Sequence, residues 1–237
     1  GRMKLCIATL VCLVAGIFAA SIEEEWRVSG GQRARLGQFP FTAYLSMGCT
    51  GSILNSNTIL TAAHCTYGKS AGSISVTVGL IRRGDSSSST HRVRSIHQNP
   101  RYCCGRSVNG EDISLLKLST PIKFDSYRQA INLGSASDVP QVGSRATFAG
   151  FGGPRYGELA WAQLTVTTCI GRDSKAVCLN RTPASTEGGD SGGPLFVQRG
   201  SQFFQIGVNS GAISSGSRRI TMQSRVDKHV AYIRQYM

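Results

Sequence analysis

An all-β fold is predicted for this chain by two features. From residue 28 onwards, apolar or alternating stretches of about five to eight residues recur at intervals of about 10–20. Between them lie Gly, Ser, Asn and Pro, the residues that tight turns select. Short strands at this spacing, joined by turn-rich loops, build a sandwich or a barrel. In chain order the strands are carried by FTAYLSM (41–47), GSILNSNTILTAA (51–63), SISVTVGL (73–80), DISLLKL (112–118), RATFAGFG (145–152), LTVTT (164–168), PLFVQ (194–198) and FFQIGVNS (203–210). Their β-branched and aromatic side chains suit a pleated, half-buried surface. SSSST (86–90), with Arg82, Arg83, Arg92 and Arg94 around it, reads as a polar surface loop. The closing stretch, RVDKHVAYIRQYM, departs from the pattern. Its Val226, Val230 and Ile233 stand four and three apart, one apolar stripe of an amphipathic helix docked on the body.

Composition narrows the class further. With 237 residues, 41% hydrophobic and 16% charged, the chain is not collagen, a coiled coil or a mostly disordered protein. A chain of this length buries roughly three quarters of its unfolded surface, so its core needs no metal. Lys+Arg 26 against Asp+Glu 13 leaves a net charge of +13, and 20 of the basic residues are Arg. Such a surplus favours anionic partners, whether polysaccharide, membrane surface, nucleic acid or acidic protein, and charge alone does not choose among them.

The N-terminal residues set the expected compartment. Met3 and Lys4 precede an uncharged run from Leu5 to Ala20 that ends in small residues. That pattern is a secretory signal peptide, expected over residues 3–20 and cut near Ala19 or Ala20. The run is shorter than the ~20 residues a membrane-spanning helix requires. Export would remove Cys6 and Cys12 and leave Cys49, Cys65, Cys103, Cys104, Cys169 and Cys178. In an oxidising compartment an even count suggests disulfides, with fifteen possible connectivities for six cysteines. None of the six has C-x-x-C spacing and His is scarce, so neither a metal nor another cofactor is expected.

Three local signals carry chemistry. TAAHC (61–65) presents His64 after an apolar strand, EDISLLKL (111–118) presents Asp112 at the start of another, and GGDSGGPL (188–195) presents Ser191 between glycines. A serine hydroxyl is a weak nucleophile that needs an adjacent base, and the base needs a third group to hold its tautomer. Glycines beside the serine leave backbone N–H groups free to stabilise an oxyanion, worth roughly 3–4 kcal/mol per donor. A lone His, Asp or Gly-Ser string is usually structural. The three together, in this order, resist that account.

With these motifs the chain resembles the chymotrypsin/trypsin-type serine endopeptidases over essentially all of residues 28–237. The resemblance implies two six-stranded antiparallel β-barrels, roughly 28–125 and 126–237, with a C-terminal α-helix and an active site in the cleft between them. It makes His64 the general base and acid, Asp112 its orienting carboxylate and Ser191 the nucleophile. The N–H groups of Gly189 and Ser191 would form the oxyanion hole, and the Ser210 hydroxyl would support Asp112. The glycines around Ser191 also satisfy the G-x-S-x-G elbow of α/β-hydrolases. That fold needs an acid and then a histidine after the serine, and only Asp227 and His229, two apart, qualify.

Further residues follow from the same resemblance. Residues 21–27 read as a short activation peptide ending at Arg27. Cutting there would free the Val28 α-amino group to pair with buried Asp190, a burial tolerable only when matched. Cys49–Cys65 and Cys169–Cys178 correspond to bridges of the family, whereas Cys103 and Cys104 correspond to none. They would pair vicinally, stay free or bridge to another chain. Glu187 replaces the first cysteine of the bridge beside the specificity pocket. Ser185 falls at the pocket floor with Thr186 beside it, and Ser210, Gly211 and Ala212 fall along its wall. Ala212 and Thr221 stand where glycines usually keep the pocket open. An uncharged, narrowed pocket favours small or medium uncharged side chains, unless Glu187 swings inward to accept a basic one or Asn209 reads a polar one. GLIRRGDSSSST (79–90) lacks the acidic ligands of the family's calcium loop, and Asn180-Arg181-Thr182 is a glycosylation sequon followed at once by Pro183.

The expected function is a secreted serine endopeptidase made as a zymogen. Its partners would be protein or peptide substrates, protease inhibitors, and an anionic polysaccharide or surface. No specific nucleic acid is expected, and the protein should be a monomer. The rivals are a poorly active or inactive homologue acting as a binding or inhibitor protein, and a cationic surface-binding protein.

Overall fold

The computed structural model describes residues 31–103, 110–153, 157–171, 174–181 and 186–237. The expectations for the signal peptide (3–20), the activation peptide (21–27), Val28, Cys104, Thr182, Pro183 and Ser185 lie outside the described residues. No helix among the described residues is long and apolar enough to cross a membrane.

A two-residue strand, β1 (Gln32–Arg33), leads into the first barrel. That barrel is built from β2 (Thr42–Leu45), β3 (Cys49–Asn55), β4 (Thr58–Thr61), β5 (Ser75–Val78), β6 (Ser89–Gln98) and β7 (Ser114–Leu118). These six close in the order β2-β3-β4-β7-β6-β5. The short helix α1 (Ala63–Thr66) follows β4. The stretch 51–63 is therefore a hairpin followed by a helical turn. Asn57 N–H bonding to Asn55 Oδ1 marks its reversal.

After β8 (Asn132–Leu133), the second barrel takes β9 (Arg145–Gly150), β10 (Ala160–Thr167), β11 (Ala176–Asn180), β12 (Pro194–Arg199), β13 (Gln202–Ser215) and β14 (Arg218–Arg225). Pairing runs β9-β10-β11-β14-β13-β12 and returns to β9, with β1 and β8 attached at the margins. Closure removes the exposed edges that an open sheet of these lengths would present. The chain ends in α2 (Val230–Gln235). Val226 and Ile233 are buried in the core and Val230 packs against it, so the predicted stripe docks on the body.

The polar run 86–90 is only partly a loop, because Ser89 and Thr90 already belong to β6. In that strand His91 and Val93 point inward while Thr90, Arg92 and Arg94 face solvent. Period-two alternation holds, but a charged outer face hid it among the surrounding serines and arginines.

An aromatic cluster joins the two barrels. Phe39 and Phe41, at the entry to β2, meet Phe196 of β12 at ring-centroid distances of 5.3 and 5.0 Å, and Phe203 of β13 at 6.1 and 5.2 Å. Trp161 of β10 closes on Phe39 at 5.8 Å. Such edge and tilted pairs add about 0.5–1.5 kcal/mol each beyond the area they bury. The seam is thereby a packed core rather than a hinge, and it fixes how the faces of the two barrels meet.

Candidate functional site

Each barrel brings part of the site to the seam. The first supplies His64, at the start of the turn after β4, and Asp112, just before β7. Asp112 is fully buried and accepts three hydrogen bonds. The His64 backbone N–H donates to Oδ1 at 2.8 Å, His64 Nδ1 lies 2.7 Å from Oδ2, and Ser210 Oγ donates to Oδ2 at 2.6 Å. A carboxylate so placed holds the imidazole with its proton on Nδ1, leaving Nε2 to act as a base. Among the described residues, His64 Nε2 has the Cys65 sulfur at 3.7 Å, and no hydrogen bond joins it to Ser191. Bonds of this kind commonly tighten only once substrate fills a site.

Two further ionisable groups lie near Asp112. Tyr102 is buried nearby, and burial, followed by the Asp112 charge, pushes its phenol up to about 12. Glu111 precedes Asp112 in the chain and accepts from Asn99 Nδ2 at 2.9 Å, from His229 Nε2 at 3.0 Å, and from Lys175. Burial alone would raise the Glu111 carboxyl, but the bonds from Lys175, Asn99 and His229 overcome it and hold it at about 2. Lys175 belongs to the second barrel and His229 precedes α2, so this ion cluster also crosses the seam.

Ser191 sits on the turn that leads into β12, and that turn lies against the first barrel. Thr50 of β3 donates its backbone N–H to the Ser191 carbonyl at 2.8 Å and its hydroxyl to the Gly189 carbonyl at 2.8 Å. Gly189 has φ +95°, and among the described residues neither its N–H nor that of Ser191 is spent on a protein acceptor. Gly192, at φ +80°, donates to the Asn209 carbonyl at 2.8 Å. A Cβ there would overlap the Thr61 hydroxyl and the Thr50 carbonyl. Gly192→Ala should therefore lower stability by at least about 2 kcal/mol in a urea titration, because it combines backbone strain with a clash against rigid backbone.

Asp190 is fully buried beside Ser191. Its Oδ1 accepts the Gly152 N–H at 2.9 Å and its Oδ2 the Glu187 N–H at 2.8 Å, while no cation faces it among the described residues. Desolvation dominates over these two bonds and pushes the carboxyl up to about 7.

Next to Ser191 is a cavity of about 240 Å³ lined by Thr186, Glu187, Gly188, Asn209, Gly211, Ala212 and Arg181. Thr186, Gly211 and Ala212 line this cavity, whereas the Ser210 side chain is turned to Asp112. Thr221 is fully buried and pairs in register with Ala212. Arg181 Nη2 stands 3.5 Å from Glu187 Oε1, and Asn209 Oδ1 accepts from buried Gln223 Nε2 at 2.8 Å. Arg181 and Thr50 were not legible as site residues, since only folding brings them beside Ser191.

Cys49–Cys65 and Cys169–Cys178 are disulfides, and Cys103 is a free, exposed thiol. Cys49, His64 and Cys65 cluster within 4.8 Å, but both sulfurs are committed to the bridge, so the group offers no thiolate to a metal.

Two antiparallel barrels, with a histidine–aspartate pair on one facing a glycine-flanked serine on the other, define the trypsin-like class of β-barrel proteins. The Trypsin family profile matches residues 28–233, and the chain belongs to that family. It is similar to phenoloxidase-activating factor 3 of Holotrichia diomphalia, at 28% identity over 90% of this chain and 73% of the relative. It is likewise similar to trypsin eta of Drosophila melanogaster, at 28% over 79% of this chain and 80% of the relative. Azurocidin of Sus scrofa is 29% identical over 89% of this chain and 86% of the relative.

Proposed function

We propose that this protein is a secreted serine endopeptidase, made as a precursor and activated by cleavage after Arg27. The observation that carries this reading is buried Asp112, bonded twice to His64 and once to Ser210 across the seam. In the reaction, His64 Nε2 takes the Ser191 proton as Oγ attacks the scissile carbonyl, and Asp112 stabilises the imidazolium that forms. The carbonyl oxygen becomes an oxyanion facing the N–H groups of Gly189 and Ser191. His64 then passes its proton to the leaving amine. Water, deprotonated in turn by His64, attacks the ester and releases Ser191 with its proton restored. The signal peptide expected over residues 3–20 and the two disulfides support export, and the relative named a trypsin supports peptidase chemistry.

A rival reading, a homologue that binds without turnover, draws on the absent His64–Ser191 bond and the +13 charge. A fluorophosphonate probe separates the two. It should label Ser191 after cleavage at Arg27 and leave His64→Ala unlabelled; absence of labelling in cleaved wild type would favour the rival.

The cavity supports a preference for small or medium uncharged side chains before the scissile bond. Arg181 already engages the Glu187 carboxylate, and burying a substrate cation without its own counter-charge costs several kcal/mol. The Ala212 side chain on the cavity lining, where a glycine would leave more room, narrows the wall against Phe or Trp. A peptide-library profile should show this preference, and the purified precursor should not activate itself at Arg27. A profile dominated by Arg and Lys would reverse the assignment.

A further inference from the structure

The Thr50 side chain is fully buried at the seam, 139 residues from Gly189 in sequence, and the triad chemistry does not use it. Its hydroxyl is satisfied in both directions. It donates to the Gly189 carbonyl at 2.8 Å and accepts the Phe151 N–H at 3.0 Å. These partners belong to the two segments on which an oxyanion hole depends. Gly189 carries one of the N–H groups proposed to receive the oxyanion, and its φ of +95° leaves its backbone free to turn unless something holds it. Phe151 adjoins Gly152, whose N–H anchors Asp190 Oδ1 at 2.9 Å. One hydroxyl therefore ties the Gly189 carbonyl to the segment that holds Asp190, from a strand of the opposite barrel. Thr50 is itself held by the Thr61 hydroxyl, which donates to its carbonyl at 2.9 Å, and by its own N–H on the Ser191 carbonyl.

We infer that the Thr50 hydroxyl is a positioning group for the oxyanion hole: by pinning the Gly189 carbonyl it restrains rotation at the Gly189 Cα. The Gly153 N–H, on the Gly188 carbonyl at 3.1 Å, holds the preceding peptide plane, which carries the Gly189 N–H, so that the two together keep that N–H aimed. A donor aimed before the reaction costs no reorganisation when charge develops, so its effect falls on the transition state and not on substrate binding. This inference rests on the hydrolase reading above.

Thr50→Val keeps the shape of the side chain and removes both hydroxyl bonds; Thr50→Ser keeps both. In cleaved enzyme, with sites counted by fluorophosphonate, Thr50→Val should lower kcat about tenfold to a hundredfold with KM within about twofold. Its Ki for a peptide aldehyde, which forms a tetrahedral adduct on Ser191, should rise by the same factor. Thr50→Ser should recover most of both losses. Should Thr50→Val fail to fold, Thr50→Ala, which relieves the crowding of a methyl against the carbonyl, is measured in the same way. A folded hydroxyl-free variant with wild-type kcat and aldehyde Ki would overturn the inference, as would one that loses thermal stability alone. If cleaved wild type neither hydrolyses peptides nor binds the aldehyde, the hydrolase reading itself fails and takes this inference with it.

Discussion

Ser191→Ala and His64→Ala should each lower kcat for peptide hydrolysis by about 10⁴- to 10⁶-fold without unfolding the protein. Nucleophile and base act as a unit, so losing either removes covalent catalysis and leaves only binding and oxyanion stabilisation. Folding should survive. Ser191 is partly exposed, and the hydrogen bonds that seat its turn come from backbone atoms of Ser191 and Gly192 and from the Gly189 carbonyl. Removing both residues together should cost little more than removing one. The measurement is kcat and KM on a chromogenic peptide, with far-UV circular dichroism as the folding control. Peptide hydrolysis within tenfold of wild type in either variant would eliminate the triad.

The second large effect concerns Asp190. Among the described residues two N–H groups reach the buried Asp190 carboxyl, which titrates at about 7 instead of its ordinary 3.8. Between those values the folded uncut chain holds a proton that the unfolded chain has released. Its contribution to stability is therefore intact below about pH 4 and is lost as pH rises through about 7. If Val28 acquires an α-amino group on cleavage and pairs with Asp190, that loss disappears. The thermal midpoint of the uncut precursor should fall between pH 5 and 8, while that of the cleaved form should stay flat. Asp190→Asn should abolish the slope and keep the cleaved protein at least about a hundredfold below wild type, since the loop bearing Gly189 is then left without its ion pair. A precursor fully active before cleavage would refute the activation mechanism.

How far the sequence reached differs between parts of the molecule. Alternation and turn residues predicted most strands, and the stripe of Val226, Val230 and Ile233 predicted the docked helix. β6, β11 and β14 were missed or absorbed into loops. β6 carries arginines on its outer face, and the five residues of β11 are too few for a period to stand out. His64, Asp112 and Ser191 could be named because each sits in a short local string whose chemistry is recognisable without knowing its neighbours. The walls around them were less legible. The ion pair of Arg181 with Glu187 and the grip of Gln223 on Asn209 depend on rotamers and on loops meeting across the second barrel.

What the sequence determined by itself was whatever is encoded within a few residues: strand and turn propensity, a serine between glycines, a histidine ahead of a cysteine, and the expectation of export. Only the tertiary structure decided that Asp112 is fully buried, that Ser210 caps it from the other barrel, that Asp190 titrates near neutrality, and that Thr50 holds Gly189. The physical reason is range. Propensity and periodicity act between neighbours, whereas desolvation and hydrogen-bond satisfaction depend on every atom brought within a few ångströms, and here those atoms come from 98 and 139 residues away.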